Sequence, residues 1–230
     1  MVLVPLAAAL LVMLARNSLG LARVIAVAGS VATLVLAVLL PDSRGFDAQW
    51  LPGIGVSFSL GGNGAAAVLT FAAALMMIPA VLVATTRVEK GAGGFAALLL
   101  VALAGLNGIF MAKDLVLFYI FWEATLIPGL LLLGIYGGER RREATVKYLV
   151  YAVTGSFFML VSILALKALS GAPSFHIVDL MLVTPNLPVA TQTWLFVGMA
   201  LGMAVKLPLW PLHSWLVDLN EQNHHSGAAD

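Results

Sequence analysis

The chain has 230 residues, 61% of them hydrophobic and only 10% charged, and its mean hydropathy is +1.02; soluble domains carry about 45–50% apolar and about 25% charged residues. Twelve Lys and Arg nearly cancel eleven Asp and Glu, which excludes a basic nucleic-acid binder and an acidic disordered tail. The absence of cysteine excludes disulfides, thiolate-held zinc or iron–sulfur clusters and thiol nucleophiles, leaving an all-α polytopic membrane protein as the fold class.

A helix needs about 20 apolar residues to span a bilayer. Seven apolar stretches are predicted as helices of a single membrane domain over 1–230: about 2–15 (short), 19–40, 65–86, 94–112, 115–136, 146–166 and 189–217. A signal peptide carries positive charge before its apolar core. Here Arg16 and Arg23 follow the first stretch, which favours an uncleaved helix with its amino terminus extracytoplasmic. Arg16, Arg23, Arg87, Lys90, Arg140, Arg141, Arg142 and Lys147 follow helices one, three and five. Arg44, Lys113 and Lys167 follow helices two, four and six. Cytoplasmic loops hold the excess of Lys and Arg, so the first set faces the cytoplasm, as does the 217–230 tail. In the 41–63 loop, Val56, Phe58 and Leu60 alternate with Ser57 and Ser59 before a Gly-rich turn. That pattern predicts a short extracytoplasmic β element near 54–62. A second loop is expected over 170–188.

Two ionisable residues lie at membrane depth. Glu123 sits near the centre of 115–136, and Lys206 lies inside the seventh stretch. A charge at the bilayer centre costs about 2.5–3.5 kcal/mol on insertion scales, and such residues are functional candidates by default. Plainer readings stand beside this one: Glu123 as a structural bridge between helices, and Lys206 snorkelling to the surface. At about 6 Å and an effective dielectric near 20, their attraction would be about 3 kcal/mol, enough for each to set the other's protonation. Pro208 and Pro211 predict that the seventh helix is broken beside Lys206, because proline removes a donor and clashes with the carbonyl four residues back. Broken helices at membrane depth line cavities and ion sites. Pro128 is expected to kink the fifth helix.

His213 lies two helical turns after Lys206 and reads equally as a proton relay or an interhelical hydrogen-bonder. Asn107, Thr125, Thr154, Ser156 and Ser162 read as interhelical glue beside Gly105, Gly108 and Gly155. Lys113 and Asp114 mark a helix boundary. Trp122, Trp194, Trp210 and Trp215 read as packing or interfacial anchors. Glu221, His224 and His225 read as an interfacial loop rather than a metal site.

Two motifs carry a family resemblance. Phe121-Trp122-Glu123-Ala124-Thr125-Leu126-Ile127-Pro128 resembles the fifth-helix motif of the antiporter-like subunits of bacterial respiratory complex I. Lys206-Leu207-Pro208-Leu209-Trp210-Pro211-Leu212-His213-Ser214-Trp215-Leu216 resembles their seventh-helix motif. The two forms look most like the M type of NADH-quinone oxidoreductase subunit, rather than the L or N type. The resemblance covers essentially the whole chain and implies the amino-terminal half of a longer subunit with two inverted repeats. It implies proton translocation through Glu123 and Lys206 in a bacterial plasma membrane. It also implies L-like and N-like partner subunits, and NADH, FMN, iron–sulfur clusters and quinone held elsewhere, with no cofactor or metal bound by this chain. Two departures stand out. Val217-Asp218-Leu219-Asn220 replaces the Pro-Asp-Ala-His common after the second motif, and Asn63 stands where Asp is frequent. A subunit of a multisubunit sodium/proton antiporter and a structural membrane scaffold remain the alternatives.

Overall fold

Long apolar runs with no bilayer-compatible alternative to internal backbone bonding form helices. The computed structural model describes residues 1–39, 45–62, 64–88 and 91–223. Among these, the chain order is α1 (Leu3–Leu14), α2 (Leu19–Leu39), β1 (Phe46–Leu51), β2 (Val56–Leu60), α3 (Gly64–Arg87), α4 (Ala92–Met111), α5 (Leu115–Ala124), α6 (Leu126–Tyr136), α7 (Arg141–Ser170), α8 (Ile177–Val183), α9 (Val189–Lys206) and α10 (Ser214–Asn223). Asn63, Arg44, Lys90, His224 and His225 lie outside the described residues.

Among the described residues, six spans are long and apolar enough to cross a membrane: α2, α3, α4, α5 with α6 as one stretch, α7 and α9. The first expected stretch, 2–15, is the shorter apolar helix α1, as its length implied. Its 12 residues rise about 18 Å against a hydrocarbon thickness of about 30 Å. The helix α7 runs 30 residues, beyond the predicted 146–166 at both ends. Apolarity marks membrane depth, whereas helical hydrogen bonding continues into the polar flanks. The 170–188 loop contains α8 and a 3-10 turn at Thr184–Asn186.

Helices α1 to α4 pack around a core of small and branched residues that includes Ala8, Val12, Ala26, Val81, Leu100 and Leu103. Small residues let helix backbones approach where no hydrophobic driving force separates protein from lipid. Arg23, the charge early in α2, is absorbed by α3: it donates to Thr85 Oγ1 at 2.9 Å and to the Thr85 carbonyl at 2.7 Å. The helix α4 then bridges to α5 and α6, and α7 packs along α9. A Cβ on Gly202 would come within 2.7 Å of Met159 Cβ, so glycine is what lets α9 lie this close to α7.

The β element is larger than expected. Strand β2 agrees with the predicted segment, but it pairs antiparallel with β1, which the sequence reading missed. Phe58 packs edge-on against Phe46 and Trp50. The turn ends at Gly55, whose φ of +75° suits glycine. The hairpin and the start of α8 together hold the start of α5: Lys113 N donates to Ser59 O at 2.9 Å, and Ile177 N of α8 to Lys113 O at 2.9 Å.

Candidate functional site

Asp114 sets the register of α5. Its side chain is fully buried and accepts from Val116 N at 2.9 Å, Leu117 N at 3.1 Å and, in the hairpin, Ser57 N at 3.0 Å. The first two bonds cap orphan donors of the helix's first turn. Lys113 and Asp114 therefore form the expected boundary. Nine residues further on, about 14 Å down the helix, lies Glu123.

The fifth span breaks one residue beyond Glu123's neighbour. Pro128 cannot donate to the Ala124 carbonyl and crowds it, and Thr125 separates α5 from α6. The Thr125 hydroxyl donates to the Trp122 carbonyl at 2.8 Å. The seventh span breaks where expected. Helix α9 stops at Lys206 and α10 begins at Ser214, with Pro208 and Pro211 between. Leu209 N reaches back five residues to Ala204 O at 2.9 Å. The Val205 carbonyl takes the indole Nε1 of Trp215 at 3.0 Å instead.

The two breaks meet. Lys206 Nζ donates to the Trp122 carbonyl at 2.7 Å and to Thr125 Oγ1, and it lies 4.4 Å from the centroid of the Trp122 ring. A helix carboxyl end carries partial negative charge on its unpaired carbonyls. The break in the fifth span thus creates, inside the bilayer, an end that an ammonium can bond. Glu123 and Lys206 line one small cavity of about 20 Å³, with Trp122, Tyr148, Gly202 and Trp215 among its walls. That volume has room for a water molecule or two. Glu123 and Lys206 are joined by no direct ion pair; the ion pairs among the described residues include Lys147–Asp218 at 2.8 Å and Arg140–Glu221 at 3.1 Å.

The structure therefore brings Glu123 and Lys206 to one cavity and leaves His213 outside its lining. His213 sits in the turn before α10, and its Nδ1 is buried without a hydrogen-bond partner among the described residues. Three residues at or beside the cavity gain roles the sequence did not reveal. Trp122 offers its carbonyl and ring, and Thr125 a hydroxyl aimed at a neighbouring span. Trp215 is buried, stacks on Tyr148 at 4.7 Å and caps the break. Trp194 and Trp210, 75% and 84% exposed, remain outward-facing anchors. A Thr three residues before a Pro was the available signal for the first break. Room for it comes from α4, where a Cβ on Gly105 would meet Thr125 Cγ2 at 2.6 Å. Asn107, also on α4, bonds across to the Met1 carbonyl at 3.1 Å.

Residues 112–229, just over half the chain, match the family described as NADH:quinone oxidoreductase/Mrp antiporter, TM. The chain belongs to this family of membrane subunits. It is 40% identical over 218 residues to NADH-quinone oxidoreductase subunit 13 of Thermus thermophilus, covering 92% of this chain and 45% of the relative. Its structure resembles a chain of respiratory complex I from Thermus thermophilus with bound NADH, with a TM-score of 0.87, 36% identity and coverage of 100% of this chain and 48% of the other. A chain of the Mrp complex from Dietzia sp. DQ12-45-1b shares the fold, with a TM-score of 0.80 and 20% identity over 96% of this chain and 25% of the other. The chain spans about half the length of the relatives it matches. The family membership confirms the resemblance carried by the Glu123 and Lys206 motifs.

Proposed function

We propose that this chain corresponds to the amino-terminal half of an M-type antiporter-like subunit and carries protons through the membrane arm of an NADH:quinone oxidoreductase. The observation that supports this reading is the docking of Lys206 on the broken end of α5, beside Glu123 and on the same cavity. Docked, the ammonium is held by the Trp122 carbonyl and the Thr125 hydroxyl. A proton passes from it to water in the cavity, and Glu123, by gaining or losing charge, sets how firmly Lys206 keeps the next one. Uptake is from the cytoplasmic end, and the proton moves on laterally to the remainder of the subunit. His213, the last residue of the break between α9 and α10, is retained as a relay on the uptake side.

In this reading the chain is a non-redox subunit that binds no cofactor. NADH, FMN, iron–sulfur clusters and quinone belong to other subunits, and L-like and N-like antiporter subunits are its membrane neighbours. The subunit resides in a bacterial plasma membrane with its amino terminus extracytoplasmic.

The test is Glu123→Ala and Lys206→Ala made separately in the intact complex, with NADH-driven proton uptake followed in inverted vesicles. Each is expected to lower pumping more than tenfold, a barrier increase above about 1.4 kcal/mol, while the complex still assembles. Normal pumping in either variant removes that residue from the pathway. Sodium-dependent pH gradients without NADH oxidation would instead support the multisubunit sodium/proton antiporter, and loss of assembly alone would support a scaffold.

A further inference from the structure

Away from the Lys206 cavity, a groove of about 830 Å³ opens between α1, α4 and α6. Its walls are apolar and include Leu6, Leu10, Val101 and Leu131. Its polar residues gather at one mouth, where α1 ends, α4 begins and α6 ends: Arg16, Asn17 and the Tyr136 hydroxyl, which donates to the Gly91 carbonyl at 2.9 Å. Arg16 is exposed, and its guanidinium has no hydrogen bond or ion pair among the described residues. From Arg16 to Leu6, and from Gly91 to Val101, the groove runs ten residues, or about 15 Å of helix. That is the depth of one hydrocarbon leaflet, half of about 30 Å.

We infer that this groove is a binding site for one anionic phospholipid of the leaflet facing the Arg140–Arg142 loop. A phosphodiester presents two anionic oxygens that a guanidinium fork can bond together. Asn17 adds an amide donor beside it. The acyl chains lie inward along Leu10, Val101 and Leu131, where their length matches the groove. A zwitterionic lipid would bring its own cation to the mouth and leave Arg16 uncompensated, so net negative charge is selected. Positive charge concentrates at this end of the bundle, and anionic lipid is recognised between spans by such basic mouths.

The experiment reconstitutes the intact complex in nanodiscs containing a photo-reactive phosphatidylglycerol, or a photo-reactive phosphatidylcholine, and maps the tagged peptides. Phosphatidylglycerol is expected to label the α1 and α4 segments lining the groove. Arg16→Gln should reduce that labelling about fivefold, the equivalent of about 1 kcal/mol per basic residue, and Arg16→Lys should largely retain it. Equal labelling by phosphatidylcholine overturns the selectivity. Undiminished labelling in Arg16→Gln overturns the headgroup assignment. A map of the complex with a protein helix seated in the groove overturns the site itself. Complex assembly in each variant is read from native gels, and exposed Arg16 gives no reason for it to change.

Discussion

An ammonium in hydrocarbon needs acceptors, and Lys206 finds them in a carbonyl and a hydroxyl rather than in a carboxylate. The charges Glu123 and Lys206 were legible in the sequence because each interrupts an apolar run, where a charge is expensive. Trp122 and Thr125 were not, because a backbone carbonyl has no sequence letter and a threonine in a membrane helix usually bonds its own helix. Thr125 does both, accepting from Lys206 and donating to Trp122 O. Thr125→Val keeps the shape and removes the hydroxyl. A hydrogen bond to a charged group contributes about 1.5–3 kcal/mol, so pumping by the intact complex should fall about tenfold or more, and Thr125→Ser should restore it. The bond is structural only if both variants pump normally. His213 was singled out by spacing alone. Two helical turns place a residue on the same face only if the helix is continuous, and Pro208 and Pro211 interrupt it.

At the scale of elements, two interrupted spans meet at their interruptions, and each interruption has a sequence cause. The break after Lys206 was readable from two prolines. The break at Thr125 was expected as a kink at Pro128, and it lies three residues earlier because the proline acts on the carbonyl of residue 124. Replacing Pro208 by Ala supplies an N–H that can take over Ala204 O from Leu209 N and removes the ring clash, so that α9 extends by part of a turn before Pro211 interrupts it. Lys206 should then leave Trp122, and pumping should fall while the complex assembles. Unchanged pumping would mean that the break does not position Lys206. The hairpin was half legible: the alternation of β2 with two serines was read, whereas the equally long alternation of Phe46, Ala48 and Trp50 with Asp47 and Gln49 in β1 was passed over as loop. Its purpose became visible only through Asp114. Asp114→Ala removes an N-cap worth about 0.5–2 kcal/mol and strands buried donors at about 1–3 kcal/mol each. Thermal unfolding of the purified complex should therefore show earlier release of this subunit, and an unaltered transition would refute the clamp.

For the whole molecule, the bundle α1–α4 and the broken-helix unit α5–α10 were both readable as helices, but their packing was not. Which apolar face meets which depends on glycines such as Gly105 and Gly202, whose role appears only beside their neighbours. Orientation rests on loop charge, and the absence of cysteine makes it easy to check. Gln49→Cys on the hairpin should react with an impermeant maleimide from the extracytoplasmic side, and Glu139→Cys from the cytoplasmic side. The reverse pattern would invert the topology and move the uptake end of the pathway.

If Glu123 and Lys206 form a single proton-handling device, the loss from removing one already contains the loss from removing the other. NADH-driven pumping by the complex carrying Glu123→Ala and Lys206→Ala together, compared with each alone, is the decisive comparison. The double variant should pump no worse than the more impaired single variant. Losses that multiply would show two independent residues and break the link on which the mechanism stands.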